Sequence, residues 1–102
     1  MTYERIVEWE DGYPTAESLD RLWDATIDHT NAADCIRAEL TECTKHCCAS
    51  YSETSDTQRA MFSTGGWSGA EDLIDAMMEN PRLKHRHIEW YRGGHYVFDV
   101  AP

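Results

Sequence analysis

The sequence predicts an α+β domain in which an N-terminal helical hairpin packs on a small, mostly antiparallel sheet, and a strand–helix–β-hairpin unit forms the C-terminal half. Three observations carry this. Apolar residues recur at helical spacing through residues 15–48. A glycine-rich turn, Gly65-Gly-Trp-Ser-Gly69, opens a further helical pattern. Period-two alternation flanks Gly93 and Gly94. At 102 residues the chain is one domain with one modest core. It divides into a mainly helical half (1–49), a linker (50–58) and a mixed half (59–102).

Residues 2–9 are ambiguous. Tyr3, Val7 and Trp9 alternate as an edge strand would, while Tyr3, Ile6 and Val7 also suit a helix; a strand is the expectation. A turn cluster follows at residues 10–14. Thr15 can cap a helix with Glu17 in its first turn, and Leu19, Leu22, Trp23 and Ile27 line one stripe of it. His29-Thr30-Asn31 interrupts that pattern. Asn31 can cap a second helix, whose buried face is Ala32, Cys35, Ile36, Leu40, Cys43 and Cys47. A link of about three residues makes the two helices antiparallel neighbours. Residues 50–57 are polar, and their Ser and Thr side chains favour local turns.

Residues 59–63 form a short strand. Ser68 and Glu71 have the spacing of a capping box, and Leu73, Ile74, Met77 and Met78 are the apolar face of the helix it starts. Asn80-Pro81 ends that helix, because the residue before proline is pushed out of helical geometry. In the final hairpin a three-residue Gly93-Gly94-His95 loop places Ile88 and Trp90 on one face with Tyr96, Phe98 and Val100. Trp90 is therefore expected in the core and Tyr91 at the surface. The expected core is Leu19, Leu22, Trp23, Ile36, Leu40, Phe62, Leu73, Ile74, Met77, Trp90, Phe98 and Val100.

Charge bears on partners rather than fold. The net charge is -10. Residues 1–80 hold 17 acids and 5 bases (5 − 17 = −12), and residues 81–102 hold 2 acids and 4 bases (4 − 2 = +2). An acidic body argues against direct nucleic-acid binding, which needs a basic footprint. It suits docking on a basic groove of a protein, or solubility alone. The basic-aromatic stretch at residues 82–92 either touches a partner or balances the chain's own acids. No apolar run approaches the roughly 20 residues needed to span a bilayer. Residues 2–9 lack both parts of a signal peptide. The four cysteines, Cys35, Cys43, Cys47 and Cys48, cluster on one predicted helix instead of stapling distant segments. A cytoplasmic protein with reduced thiols is expected.

Three constellations could carry chemistry. The Gly65–Gly69 turn enters a helix N-terminus, which attracts anions, and Trp67 could stack on a base; equally, Trp67 plugs a tight turn. Cys43, His46 and Cys47 share a helical face that zinc would accept, with His29 or Cys35 to complete it; equally, the cysteines are small core residues. His85, His87 and Glu89 alternate on one strand face with Asp99 across from Glu89, giving either a divalent-metal or general-base site or a solvated face. No cofactor is called for, and no nucleophile–base pairing stands out. Catalysis is not the leading expectation.

The segment Thr64-Gly-Gly-Trp-Ser-Gly69 with Glu71, followed by Arg92-Gly-Gly-His-Tyr-Val-Phe-Asp99, resembles a group of small phage and prophage proteins. The resemblance covers about residues 61–100. It implies phage origin and supplies no catalytic residues. With small size and acidity, it leads to the expectation of a binding protein that inhibits a host defence protein in the manner of anti-CRISPR inhibitors, acting in the host cytoplasm. A nucleic-acid-binding defence complex is one candidate for that partner. The residues expected to dock are the exposed acids Asp20, Asp24, Asp28, Glu39 and Glu42, with Trp67, Arg92 and His95 in the two turns. The alternative is a metal-binding module or metal-dependent enzyme built on the Cys43/His46/Cys47 face or on His87, Glu89 and Asp99.

Overall fold

A computed structural model of the chain describes residues 3–28 and 30–101. The architecture is α+β. A two-residue ladder, β1 (Trp9–Glu10) and β2 (Tyr13–Pro14), leads into helices α1 (Ala16–Asp24) and α2 (Ala32–Thr44). Strands β3 (Ser50–Thr54) and β4 (Arg59–Ser63) follow, then α3 (Ser68–Glu79), a single turn α4 (Pro81–Lys84), and the hairpin β5 (His87–Tyr91) and β6 (His95–Asp99). The main sheet has the order β3-β4-β6-β5, antiparallel throughout. Ala60, Phe62, Phe98 and Val100 on one side of it join Leu22, Ile36, Leu40, Leu73, Ile74, Met77 and Leu83 in a single core.

The N-terminal segment is not the expected strand. Residues 3–8 have no regular structure, and only Trp9–Glu10 pairs with Tyr13–Pro14. The turn between them is set by Asp11 and Gly12, both at positive φ (53° and 83°), the combination a two-residue hairpin requires. Residues 3–7 are instead held by a side chain. Glu39 of α2 is fully buried, and its Oε2 accepts from the Tyr3 hydroxyl, from the Ile6 amide at 2.7 Å and from the Val7 amide at 3.4 Å.

The two N-terminal helices do not form the expected hairpin. Thr15 caps α1 as its sequence promised, accepting from the Ser18 amide at 3.3 Å. The helix stops at Asp24, and Ala25 is extended (φ −63°, ψ 139°). From there α1 lies chiefly against α3, while α2 lies against β3 and α4. The reason is Asn80. Its buried amide donates to the carbonyls of Leu22 and Ala25, each at 3.0 Å, and so captures the last turn of α1. Its Oδ1 accepts from the Arg82 amide at 3.2 Å and caps α4, where Pro81 occupies the first helical position that proline tolerates. Asn80-Pro81 thus ends one helix and starts another.

Asn31 stands at the start of α2 without a capping bond of its own; its Oδ1 accepts from the Asp28 amide at 3.0 Å. At α3 the capping box does not form. Ser68 is the first helical residue, and Trp67 occupies the cap position with no side-chain bond. The expected linker is mostly strand: residues 50–54 pair with β4 from Ser50↔Ser63 to Thr54↔Arg59. Its Ser and Thr reflect an edge strand that buries only part of Tyr51 and Thr54, not a chain lacking pairing.

The C-terminal hairpin has a three-residue loop, set one position earlier than expected. Tyr91 pairs with His95, so Arg92, Gly93 and Gly94 form the turn, with both glycines at positive φ. Trp90 faces Tyr96, yet it is 57% exposed, and Tyr91 is 54% exposed. A register shift between His87 and Glu89 removes Ile88 from the expected face. Trp90 lies on the edge strand beside the turn, next to a Tyr96 that is itself only partly covered. Trp90 and Trp23, which is also exposed, are not core residues, and Leu19 is only half-buried.

The two glycine turns of the C-terminal half touch. The Thr64 amide donates to the Gly94 carbonyl at 3.0 Å, and a Cβ on Gly94 would stand 2.3 Å from Thr64 Oγ1. Arg86 closes the domain from below β6: it is buried, and its guanidinium donates to the Asp99 and Ala101 carbonyls.

Asn80→Ala strips the buried Leu22 and Ala25 carbonyls of their donor and should cost about 2–4 kcal/mol. Trp90→Ala should cost under about 1 kcal/mol, as surface changes do. Urea unfolding of the two variants checks the contrast.

Candidate docking surface

The packing of α1 on α3 leaves a groove along their outer seam. Acids on α3 at Asp72, Asp75 and Glu79 are spaced three and four residues apart, which puts them on one helical face. On α1, Asp20 and Trp23 are likewise three apart. The two faces meet, and Asp20, Asp72, Asp75 and Glu79 line a groove of about 470 Å³ together with Leu19, Trp23, Met78 and two alanines. Trp23 is 49% exposed there, and no base among the described residues lines the groove.

The acids expected to dock therefore divide. Asp20 lines the groove, and Asp24 is exposed at the end of α1. Asp28 is exposed but is engaged locally, since its Oδ1 accepts from the Thr30 hydroxyl at 2.6 Å and from the Thr30 and Asn31 amides. The Thr30 bond, with the Asn31 amide next, holds its carboxyl below the usual range. Glu39 is no surface acid at all, being fully buried beneath Tyr3, Ile6 and Val7. Glu42 is half-buried, hydrogen-bonded to His46 Nε2 at 2.9 Å and answered by the cations Lys45 at 3.4 Å and Arg5 at 3.9 Å. The bond to His46 is the main cause that lowers its pKa. The groove acids Asp72, Asp75 and Glu79 and the exposed Trp23 were not singled out from the sequence. The helical spacing of the three acids was the available signal.

The glycine turn serves the fold. Trp67 Nε1 donates to the Gly12 carbonyl at 2.7 Å, and its ring lies 5.3 Å from that of Tyr13. A Cβ on Gly69 would meet the same Gly12 carbonyl at 2.8 Å, so only glycine lets the β1–β2 turn sit on the first turn of α3. The Trp67 amide is bonded to the Thr64 carbonyl and the Gly66 amide to Thr64 Oγ1 at 3.3 Å. Trp67 is half-buried in that contact. Arg92 and His95 are exposed at the tip of the last hairpin, outside the groove.

The residues nominated for metal chemistry are dispersed. Cys43 is buried with its Sγ 3.6 Å from that of Cys47, but His46 turns away to Glu42 and stacks on Trp9, ring centroids 5.1 Å apart. All four cysteines are free thiols. His29 lies outside the described residues. The register shift at Ile88 puts His87 and Glu89 on opposite faces of β5. His87 packs on the rings of Tyr96 and Phe98, and Glu89 accepts from the Tyr91 hydroxyl. Asp99 accepts from the Ala101 amide at 2.9 Å. Among the described residues, no three His, Cys, Asp or Glu side chains are placed to hold a metal ion. No described helix is long and apolar enough to cross a membrane.

Compared with protein families, with curated proteins and with solved structures, the chain matches none.

Beneath the surface, burial pushes the Cys35 thiol up to about 12, and it raises Cys43, Tyr3 and Tyr51 as well. The fold holds these protons more tightly than the unfolded chain, whose cysteines ionise near 8.5 and tyrosines near 10. Their contribution is complete below about pH 8.5 and is lost progressively as pH rises above it, for Cys35 by about pH 12. Urea midpoints should fall steadily from about pH 8.5 to about pH 10.5, and Cys35→Ala should flatten that fall.

Proposed function

We propose that the protein is a small phage-encoded binding protein that inhibits a host defence protein, in the manner of anti-CRISPR inhibitors, by docking its acidic surface on a basic face of that partner. The observation that carries the reading is the collection of Asp20, Asp72, Asp75 and Glu79 from two helices in one groove with an exposed tryptophan, with no base among the described residues lining it. Like charges gathered on one face repel one another and destabilise the free protein slightly, and a cationic partner relieves that repulsion. The resemblance of residues 61–100 to phage and prophage proteins supports the host-directed half of the proposal.

Complementary fields raise the association rate, and salt screens them within roughly 8–10 Å. Association with the partner captured from host lysate should therefore slow steeply as salt rises. Charge reversal at Asp20 and Asp75 together should slow it about 10-fold or more at low salt, with the thermal midpoint nearly unchanged because exposed charges contribute little to folding. Stopped-flow or surface-binding kinetics read both effects. An association rate that stays flat from low to high salt would overturn electrostatic docking.

A further inference from the structure

Resting on that reading and deepening it, we propose that the α1–α3 groove takes an arginine-bearing apolar segment of the partner. One guanidinium stacks on the Trp23 indole, its neighbours pair with Asp20, Asp72, Asp75 and Glu79, and an apolar side chain settles on Leu19 and Met78.

Trp23 differs from the other indoles that the fold uses. Trp67 donates to Gly12 and Trp9 stacks on His46, whereas Trp23 is 49% exposed and lines the same groove as four carboxylates. A tryptophan ring attracts a cation through its negative face, and desolvation beside apolar neighbours strengthens that attraction. The four carboxylates lining the same groove favour the same occupant. The pairing selects arginine over lysine, because the planar guanidinium stacks on the ring while its edge forks onto a carboxylate. Met78 supplies a contact that adapts to the apolar neighbour.

The other occupants fit less well. Nucleic acid and anionic lipid headgroups are repelled by these carboxylates. A second copy would have to present α4, whose Leu83 is fully buried in its own core, or the last hairpin, where the exposed Trp90 and Tyr91 bring the single arginine Arg92 to four carboxylates. A groove of about 470 Å³ between two helices, lined by both apolar and acidic side chains, has the composition that receives the side chains of an amphipathic segment.

The probe is a synthetic peptide of about twelve residues with leucine and arginine at helical spacing, titrated into isotopically labelled protein and followed by amide chemical shifts. Shifts should concentrate on α1 and α3. Affinity should fall about 10-fold or more in Trp23→Ala and in the double variant Asp20→Asn/Asp75→Asn, and change less than about 2-fold in Asp56→Asn, which removes one exposed charge elsewhere. The lysine version of the peptide should bind several-fold more weakly. Shifts scattered over the acidic surface, equal weakening by Asp56→Asn, or equal affinity for the lysine peptide would overturn the proposal. So would self-association of the free protein that Trp23→Ala abolishes. The two readings fail separately. A partner captured equally well by wild type and Trp23→Ala overturns the groove and leaves acidic docking standing. Specific peptide binding in a protein that captures no host partner overturns the host-directed reading and leaves the groove.

Discussion

The Asn80 side-chain amide decides where α1 lies, and much of the architecture follows. A helix end presents carbonyls with no intrahelical donor, and a buried end must find donors elsewhere. Asn80 supplies them to Leu22 and Ala25 while its oxygen caps the turn that begins at Pro81. One residue at the kink between α3 and α4 thereby docks α1 on α3. That docking brings Trp23 alongside the acids of α3, and it separates α1 from α2, which is left to cover β3. The groove is a consequence of a helix-capping problem solved by a residue from another helix.

Glu39 plays the corresponding part at the other end of the core. A buried carboxylate is costly unless it is paired and hydrogen-bonded. Here the Tyr3 hydroxyl and two amides of an irregular segment satisfy one oxygen, and Arg5 lies 3.6 Å from the other. Residues 3–8 have no ladder or helix of their own, and Glu39 ties Tyr3, Ile6 and Val7 of that segment to α2. The acidic character of the chain is therefore not all surface. Glu39 organises the interior, Glu42 is answered by bases, and the uncompensated acids are concentrated on α1 and α3.

What was legible in the sequence was local. Thr15, the Asn80-Pro81 stop and the glycine pair of the last hairpin act through their own backbone neighbours, and each marks its element to within a residue or two. The α+β class followed from those signals and from the two periodicities. The errors share a different cause. An apolar residue at helical or strand spacing shows which face it shares, but not whether another element covers that face. Leu22 is covered by the packing of α1 and Trp23, one position on, is not. Trp90 has the right parity and too little above it. Glu39 and Asn80 owe their roles to donors and carbonyls far away in sequence, which no local pattern encodes. The candidate site suffered most, because it is formed by two helices whose meeting depends on Asn80.

The contact between Thr64 and Gly94 has a consequence for how the chain can vary. Position 94 needs a left-handed backbone, which asparagine would tolerate, but a Cβ there would stand 2.3 Å from the Thr64 hydroxyl. Any side chain at 94 thus demands a smaller residue at 64, and the larger residue at 64 demands glycine at 94. The two turns behave as one unit of inheritance: related chains should keep both or change both, and a segment bearing one turn grafted into a foreign scaffold should fail to hold its shape without the other.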